Sequence, residues 1–474
     1  MTLRAPSVSL ASAALDPESI RRLDRSGPRY TSYPTALEFH EGVDEQAYLS
    51  RLALANQGPA GSPLSLYVHI PFCESRCSFC ACHFIATPHR EVAHTYLGYL
   101  LRETDRLAER LPDQRAVAQM HWGGGTPTYL SPAELEELFA GIARHFEFEP
   151  GAELAIEIDP RVTTRSHLET LARLGFNRLS MGVQDFTPAV QEAIGRRQTF
   201  EETRALLDVA RELGFDEGIN FDLVYGLPAQ DEASFDLSLD RLLELRPERV
   251  AMYSFAYVPW VKPHQRRLDT ARFPTRETKL TLYRMALERL RAAGYESIGI
   301  DHFALPGDEL ARAARESRLD RNFMGYTVKP SETTLALGVS GIGEVDGAFF
   351  QNERKLKAYY AALDAGRLPI QRGYLLDDDD RLRQYVIREL MCKFAVDKVE
   401  VGRRFAVDFD TYFAAELARI SDVVDGAVRL VTNAPRALRV TDAGRMFVRN
   451  LCMVFDRYFE AQRESGKPAF SRTV

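Results

Sequence analysis

Four of the six cysteines of this 474-residue chain lie in one short run, and this run constrains the fold more than any other feature. The run reads Cys73-Glu-Ser-Arg-Cys77-Ser-Phe-Cys80-Ala-Cys82 and follows an apolar stretch, residues 64–70, that Pro71 interrupts. An apolar stretch ended by proline predicts a strand that leads into a loop. Because a loop can wrap several thiolates around one centre, we interpret the run as a metal-binding loop.

Disulfides, structural zinc and an iron–sulfur cluster are the alternatives for such a run. Disulfide frameworks belong to small secreted chains, whereas this chain is long, poor in cysteine and without a secretory signal pattern. Structural zinc usually takes two well-separated Cys-x₂-Cys pairs, and here there is one crowded run. Cys73, Cys77 and Cys80 instead suit a [4Fe–4S] cluster whose fourth iron stays open. We favour the cluster over zinc or coincidence.

The net charge and the hydrophobic content of the chain are those of an ordinary soluble enzyme. The hydrophobic content of 45% is ordinary, and a net charge of −7 provides no basic field for nucleic acid. The sequence also has no uninterrupted apolar run long enough to span a membrane. We therefore expect a cytoplasmic protein, where thiols stay reduced, and a monomer by default. Cys392 and Cys452 lie in apolar, helix-like surroundings, which indicates buried small hydrophobic residues and not ligands.

Short apolar runs alternate with amphipathic segments between residues 63 and 300. Six of these runs read as strands, near residues 64–70, 119–121, 154–158, 178–182, 219–225 and 249–253. Helical patterns lie between them, for example at 91–110, 132–146, 200–213 and 233–246. Repeated strand–helix units pair in parallel with right-handed crossovers. Six units predict an α/β fold, an open (β/α)₆ barrel of the three-quarter TIM type, with its chemistry at the carboxyl ends of the strands.

We expect four parts in the chain. Residues 1–60 form a tail, mobile to about residue 20, and an arm, which the family resemblance described below places at the active site; residues 61–300 form the barrel. Residues 301–370 extend the barrel and supply lid segments, and residues 371–474 form a mainly helical domain that resembles a winged helix. Its helices are expected at 381–395, 402–420 and 442–459, with a short strand near Leu438. The four acids from Asp377 predict a helix cap and no metal site.

Two motifs outside the cysteine run carry chemistry of their own. Gly123-Gly-Gly-Thr126 follows a predicted strand, where missing side chains let a ligand approach the backbone. Glu157 alternates with two isoleucines at the end of another strand and can accept hydrogen bonds from ribose hydroxyls. A glycine turn without a ligand and a solvated acid are the competing interpretations.

The three-cysteine motif followed by Gly-Gly-Gly-Thr-Pro resembles the radical S-adenosylmethionine (SAM) superfamily. Further strings narrow the resemblance to the oxygen-independent coproporphyrinogen III oxidases, and it runs from about Arg29 to the C-terminus. These strings are Arg29-Tyr-Thr-Ser-Tyr-Pro-Thr35, Cys80-Ala-Cys82, Ser180-Met-Gly-Val-Gln-Asp-Phe186 and Arg321-Asn-Phe-Met-Gly-Tyr-Thr327. The resemblance implies the radical SAM barrel, a [4Fe–4S] cluster and two bound SAM molecules.

The same resemblance implies roles for individual residues. It places the first SAM against four residues: Tyr67, Gly124, Glu157 and Ile342. It places the second SAM against seven: Phe79, Gly125, Thr126, Gln184, Arg196, Asp222 and Ala256. The catalytic candidates are Arg29, Tyr67, Cys82 and Glu157, and Cys82 cannot be a cluster ligand if SAM is to reach the open iron.

The implied reaction is oxidative decarboxylation of two propionates of coproporphyrinogen III to vinyl groups, through a 5′-deoxyadenosyl radical, giving protoporphyrinogen IX. The electron donor and acceptor are unknown. Four carboxylates on the substrate require cations, and the candidates are Arg29, Lys262, Arg266, Arg267 and Arg321. The alternatives are a related radical SAM enzyme acting on haem or another tetrapyrrole, and a haem-binding chaperone. His83, and Val328 to Glu332, depart from the family pattern at positions that face the substrate loop.

Overall fold

A mostly parallel sheet organises the computed structural model, which describes Leu23, residues 25–58, 62–215, 218–423 and 429–464, and Phe470. The expected mobile tail lies almost wholly outside the described residues. The strands are β1 (Leu64–Ile70), β2 (Phe72–Cys73), β3 (Ile85–Ala86), β4 (Ala116–Gly124), β5 (Glu147–Ile158), β6 (Arg178–Gln184), β7 (Ile219–Tyr225), β8 (Arg249–Ser254), β9 (Glu296–Ile298), β10 (His302–Ala304), β11 (Asp320–Asn322), β12 (Gly325–Thr327), β13 (Thr334–Leu337), β14 (Ile342–Glu344), β15 (Ala348–Asn352), β16 (Ile370–Leu375), β17 (Ala395–Asp397), β18 (Val431–Asn433) and β19 (Ala437–Val440).

Helices cover the outside of this sheet and build the C-terminal region. They are α1 (Glu45–Asn56), α2 (Glu91–Ala108), α3 (Pro132–Ala143), α4 (Arg165–Arg173), α5 (Pro188–Ile194), α6 (Phe200–Glu212), α7 (Glu232–Leu245), α8 (Arg276–Ala292), α9 (Glu309–Arg315), α10 (Leu356–Asp364), α11 (Asp378–Lys393), α12 (Lys398–Phe405), α13 (Phe409–Tyr412), α14 (Ala414–Val423), α15 (Asp442–Arg445), α16 (Val448–Phe455) and α17 (Phe459–Glu464).

The main sheet has twelve strands in the order β16-β15-β14-β13-β1-β4-β5-β6-β7-β8-β10-β9. Each of β1, β4, β5, β6, β7 and β8 is followed by a helix and pairs in parallel with the next, so the predicted (β/α)₆ barrel is confirmed. A seventh parallel strand, β13, pairs with the free side of β1 and was not expected. Antiparallel strands extend both edges, with β16 and β9 outermost, so the barrel stays open.

Burial and capping explain why these segments fold as they do. β1 is buried on both faces at six of its seven positions, as a central strand of a parallel sheet requires. Ser131, Thr199 and Asp231 begin α3, α6 and α7 with capping boxes that satisfy the free N–H groups of the first turn. The caps of α3 and α7 place these helices after the loops that leave β4 and β7, whereas α6 follows the short helix α5.

The C-terminal helices differ from the sequence expectation in their number. The helix expected at 402–420 is three helices, since Ala406 has a φ of 56° that ends α12 and the Asp408 carboxylate caps α13. The helix expected at 442–459 is likewise divided into α15, α16 and the start of α17. Asp377 caps α11 as predicted, with a capping box to Asp380. The expected strand near Leu438 is β19, the middle strand of a three-stranded sheet.

A second hydrophobic core joins the N-terminal arm to the C-terminal helices. Leu23, Tyr30 and Tyr33 of the arm are buried in it, beside residues of α11 and α16. The Arg449 guanidinium on α16 also donates hydrogen bonds to the carbonyls of Gly27 and Pro28. These contacts fix the arm where it passes the barrel mouth, next to Arg29.

Candidate functional site

A cavity of about 770 Å³ opens at the carboxyl ends of the barrel strands. Its walls come from the cysteine loop, from the loops after β4, β5 and β6, from β7 and β8, and from Arg29 of the arm. The structure brings most of the predicted site residues to this cavity: Arg29, Cys73, Cys77, Phe79, Cys80, Cys82, Gly125, Thr126, Glu157, Gln184, Arg196, Asp222 and Ala256. A volume in this range accommodates a cofactor and part of a substrate.

The cysteine loop presents its thiols to this cavity. Cys73 ends β2 and receives a hydrogen bond from the Thr126 hydroxyl at 3.5 Å, while Cys77 is buried and Cys82 is exposed to the cavity. Burial raises the pKa of Cys73 to about 12. The Cys80 thiol donates a hydrogen bond to Cys82, which raises the pKa of Cys80 and lowers that of Cys82. Cys392 and Cys452 are buried in the second core, as predicted.

Two guanidinium groups approach the Cys77 sulfur. Arg161 Nη2 lies 3.6 Å and Arg196 Nη1 lies 3.7 Å from it. The carboxylate of Asp159 holds both arginines, at 2.6 Å and 2.8 Å, and so fixes their direction. The Nε atom of Arg196 is buried and has no hydrogen-bond partner in the described residues, which leaves a donor for an anionic ligand group.

The glycine run after β4 closes tightly against the start of the cysteine loop. A Cβ on Gly125 would lie 2.6 Å from the backbone carbonyl of Pro71, and Gly124 has a φ of 113°. The N–H of Gly125 donates to Ile70 O, and the N–H of Thr126 donates to Phe72 O. The glycines therefore serve the packing of the loop as well as the cavity wall, and only the second role was predicted.

Glu157 lies at the centre of a small polar group at the end of β5. Its carboxylate accepts hydrogen bonds from His121 Nε2 and from the N–H of Gly124, both at 3.3 Å. Tyr67 stacks on His121 and bonds to His69, so it lies behind Glu157 and not on the cavity wall. His69 is buried and hydrogen-bonded, and burial lowers its pKa to about 4.

Asp222 and Gln184 occupy the neighbouring strands on the far wall. Burial, and then the charge of Glu157, raise the pKa of Asp222 to about 6. Asn220 Nδ2 and Ser180 Oγ donate to its carboxylate at 2.8 Å and 3.1 Å. Gln184 has a φ of 70°, a conformation that costs a residue other than glycine about 1 kcal/mol or more and that recurs at active sites.

Arg29 reaches the cavity from the arm. Its Nη2 donates to the carbonyl of Ser254 at 2.9 Å, its Nη1 lies 3.4 Å from Asp301, and its guanidinium lies over the Tyr253 ring. Asp301 also accepts a hydrogen bond from His302 at 2.6 Å. Burial opposes ionisation of Asp301, but the charges of His302, Arg321 and Arg29 hold its pKa well below the usual range.

Some residues singled out in the sequence lie away from the cavity lining. Gly124 and Tyr67 lie behind Glu157, and Ile342 packs near Phe349 in a separate apolar cluster. Arg321 lies over the Tyr326 ring, with Nε and Nη1 buried and without partners in the described residues. Lys262 donates to the carbonyl of Cys82. Arg266 and Arg267 are exposed to solvent and do not line the cavity.

Sequence reasoning missed several groups that hold this site together. Arg161 approaches the Cys77 sulfur and is held by Asp159. Their position directly after β5, at the barrel mouth, is a sequence signal that could have indicated a role in the site. Ser180, bonded to Asp222, had the same signal on β6. The Gln265 amide donates to the carbonyl of Phe79, and no local pattern predicts a contact between segments so far apart in the chain.

The donor set fits a cluster and SAM. No three His, Cys, Asp or Glu side chains in the described parts of the chain are arranged around a single metal ion. A four-iron cluster gives each thiolate an iron of its own, so its ligands need not converge on one ion. The remaining groups on the walls, the Arg196 guanidinium and the Glu157 and Asp222 carboxylates, suit the carboxylate, ammonium and ribose of an amino-acid nucleoside. The open barrel and this mouth define a radical SAM protein.

Comparison with known proteins agrees with the assignment to the radical SAM proteins and identifies a family within that class. The pattern of the Radical SAM superfamily matches residues 67–242, from β1 into α7. The oxygen-independent coproporphyrinogen III oxidase of Pseudomonas aeruginosa is 42% identical over 464 residues, 97% of this chain and 98% of the relative. That of Escherichia coli is 42% identical over 458 residues, 96% and 97% of the two chains. That of Synechocystis is 39% identical over 480 residues, the full length of both.

A solved structure agrees as well. Coproporphyrinogen III oxidase (HemN) from Escherichia coli, described as a radical SAM enzyme, superposes with a TM-score of 0.87 at 42% identity, covering 91% of this chain and 97% of that one. The chain belongs to the family of oxygen-independent coproporphyrinogen III oxidases. No helix in the described residues is both long and apolar enough to cross a membrane.

Proposed function

We propose that this chain catalyses the oxygen-independent oxidative decarboxylation of two propionates of coproporphyrinogen III to vinyl groups, giving protoporphyrinogen IX. The observation that carries the proposal is the convergence of Cys73, Cys77 and Cys80 on one cavity that also contains Arg196, with its unpartnered Nε. Near-complete coverage by relatives of that name supports the substrate.

The cysteines Cys73, Cys77 and Cys80 would hold the cluster. When bound, the [4Fe–4S] cluster and SAM supply the one-electron chemistry that starts hydrogen abstraction from a propionate. Arg161 and Arg196 lie within contact distance of the Cys77 sulfur, and the barrel mouth shields the reacting groups from water. Cys82 lines the cavity beside these ligands and stays a catalytic candidate near the second SAM.

We place one SAM molecule at each of the two polar groups on the walls. For the first, we place Glu157 on the ribose hydroxyls, with the N–H of Gly124 donating to its carboxylate, and the family resemblance adds Tyr67 and Ile342 to this site. For the second, Arg196 holds the carboxylate through its free Nε, and Asp222 holds ribose hydroxyls or an ammonium group. Phe79, Gly125, Thr126, Gln184 and Ala256 complete the second site. The cavity wall that these groups share supports binding of both molecules side by side.

Arg29 is the cation that we place against a substrate propionate. It already contacts one carboxylate, Asp301, at the long distance of 3.4 Å, so a propionate at the cavity can compete for the same guanidinium. Arg321 is a second buried cation near Asp301 and can serve another propionate. The two retained propionates of the substrate require such permanent anchors.

The test is an anaerobic assay of the reconstituted enzyme with SAM, sodium dithionite and coproporphyrinogen III. Protoporphyrinogen IX, carbon dioxide and 5′-deoxyadenosine should form together, and Cys77→Ser should abolish all three. Cleavage of SAM without carbon dioxide release would assign the enzyme to another substrate, such as a related tetrapyrrole. Binding of haem without cleavage of SAM would contradict the enzymatic function in favour of a haem carrier. The electron acceptor, the cytoplasmic location and the monomeric state stay predictions.

A further inference from the structure

The segment 258–268, here called the clasp, holds the cysteine loop from outside the barrel. Three consecutive contacts join them: Lys262 Nζ donates to Cys82 O at 2.7 Å, His264 Nε2 to Cys80 O at 2.8 Å, and Gln265 Nε2 to Phe79 O at 2.8 Å. Gln265 is fully buried and also accepts a hydrogen bond from the N–H of Val258, so the clasp is itself rigid. The clasp is therefore the part of the protein surface that is mechanically joined to the cluster ligand Cys80.

The outer side of the clasp combines exposed apolar groups with arginines. Trp260 is 41% and Val261 53% exposed, and both belong to the few large apolar side chains on the described surface. Arg266 and Arg267 follow on the clasp, both exposed and both without an ion-pair partner in the described residues. Exposed aromatic and arginine side chains together are typical of protein interfaces.

Two more arginines lie next to the clasp. Arg76 lies over the Phe84 ring, and Phe84 in turn contacts His264 edge to face at 5.6 Å. Arg354 acts electrostatically on both Lys262 and His83. We call Arg76, Arg266, Arg267 and Arg354, with Trp260 and Val261, the basic face.

Four arginines outnumber the acids beside the basic face. Glu74 is already paired with Arg90, and Asp269, which accepts a hydrogen bond from the N–H of Ala271 in its own turn, has no ion-pair partner in the described residues. The whole chain has a net charge of −7, so a local concentration of cations is opposite in sign to the rest of the molecule. A surface of this kind attracts an acidic partner and orients it during the encounter.

We propose that the basic face is the docking surface for a small acidic protein that carries single electrons. The inference rests on the proposed function, because reductive cleavage of SAM needs one electron from outside the chain for each event. In that step the carrier is oxidised by one electron, the cluster is reduced by one, and no proton is transferred. The clasp joins the docked carrier to Cys80 through direct hydrogen bonds. Transient redox complexes need less buried area than stable ones, which suits a face of a few side chains.

The first test measures binding without turnover. Flavodoxin, an acidic flavin protein, serves as the probe, and calorimetry gives its dissociation constant for the cluster-free full chain at low and high salt. We expect binding that weakens with salt, and a loss of roughly tenfold or more in R266E/R267E. Trp260→Ser should weaken it as well. The matched control is R403E/R404E, a neighbouring arginine pair of equal charge change on α12, which should bind flavodoxin like the parent.

The second test separates docking from chemistry. Dithionite needs no docking surface, so R266E/R267E should keep its dithionite-driven rate and its KM for coproporphyrinogen III, while stopped-flow reduction of its cluster by flavodoxin slows by tenfold or more. Unchanged affinity for flavodoxin in R266E/R267E would overturn the inference and leave the proposed function intact. A raised KM for coproporphyrinogen III in the dithionite-driven assay would also overturn the inference, because it would assign these arginines to substrate propionates. The inference would likewise be overturned if the parent protein bound vesicles of anionic lipid but did not bind flavodoxin. Absence of all turnover with dithionite in the parent enzyme would instead contradict the proposed function.

Discussion

The Tyr30 hydroxyl donates a hydrogen bond of 3.0 Å to the Asp456 carboxylate, although 426 residues separate the two in the chain. Both side chains are buried, and Tyr30 directly follows Arg29, the arm residue that reaches the cavity. The C-terminal domain therefore positions the cavity cation through this bond. Because of this bond, the last helices must fold before the N-terminal arm can take part in catalysis.

Tyr30→Phe should loosen the arm without changing the cluster. The variant leaves the buried Asp456 without one of its donors, which costs about 1–3 kcal/mol. We expect a higher KM for coproporphyrinogen III and faster proteolytic cleavage before residue 35, with unchanged iron content. Limited proteolysis and steady-state kinetics check this, and Tyr412→Phe, on an exposed tyrosine of the C-terminal domain, is the control. Equal proteolysis rates in Tyr30→Phe and the parent would contradict this role of the bond.

The stability of the chain should fall with pH through Asp456. Burial raises the pKa of this carboxyl from 3.8 to about 6, so the folded state prefers the protonated acid. The stabilisation is present below the unfolded pKa and is lost as pH rises through the folded value. Asp456→Asn cannot ionise, so its free energy of unfolding should rise relative to the parent by up to about 3 kcal/mol between pH 4 and pH 7.

Urea unfolding of both proteins across this pH range measures the difference. Asp378→Asn removes an exposed acid from the first turn of α11 and serves as the matched control. A difference between Asp456→Asn and the parent that stays constant with pH would show that the acid is ionised in the folded protein.

Cys77→Ser should lose the cluster, whereas Cys82→Ser should keep it. Cys77 is the thiol that Arg161 and Arg196 approach, and Cys82 is the cavity thiol that we do not assign to iron. We expect iron content and visible absorbance near background in the first variant and near the parent level in the second. Cys452→Ser, on a cysteine buried in the second core, is the control and should lower stability without removing iron. Loss of iron in Cys82→Ser would make Cys82 a ligand.

The barrel was predictable because its strands and helices are local patterns. Five of the six predicted runs have at least five residues, the run at 119–121 is the middle of the longer β4, and β1 and β7 even have the expected bounds. β13 was missed because Thr334–Leu337 has only four residues and becomes a strand by pairing with β1, far away in the chain. The helix expected at 402–420 was wrong because Ala406 and Asp408 end and restart the helix without interrupting the apolar periodicity.

The site, like the fold, was predictable from local sequence patterns and not from contacts between distant segments. The cysteine and glycine motifs lie within short stretches, so their spacing indicated their chemistry. The contacts of Arg161 with Cys77 and of Gln265 with Phe79 depend on folding of distant segments, which no window of sequence contains. Arg29 was predictable only by resemblance, because its surroundings, Ser254 and Asp301, belong to the other end of the barrel.

Arg29→Gln should raise the KM for coproporphyrinogen III. The variant removes a charge-assisted contact, which is worth about 1.5–3 kcal/mol and corresponds to roughly a 10- to 100-fold change. SAM binding and iron content should stay at the parent level, since neither the cysteines nor Arg196 contact Arg29 in the described residues. Arg29→Lys should recover part of the loss, because it keeps the charge but not the planar fork. An unchanged KM in Arg29→Gln would remove Arg29 from the substrate site.

Two glycine substitutions should act in opposite directions. In Gly125→Ala, the new Cβ would lie 2.6 Å from the Pro71 carbonyl, so β4 and the cysteine loop must separate. We expect destabilisation of at least about 1–3 kcal/mol and weak SAM binding, measured by urea unfolding and equilibrium dialysis. Gly98 lies on an exposed face of α2 with open space at its Cβ position. Gly98→Ala should therefore stabilise the protein by about 0.5–1 kcal/mol and leave SAM binding unchanged. Equal effects of the two substitutions would show that the glycine run is not needed for the close contact with the loop.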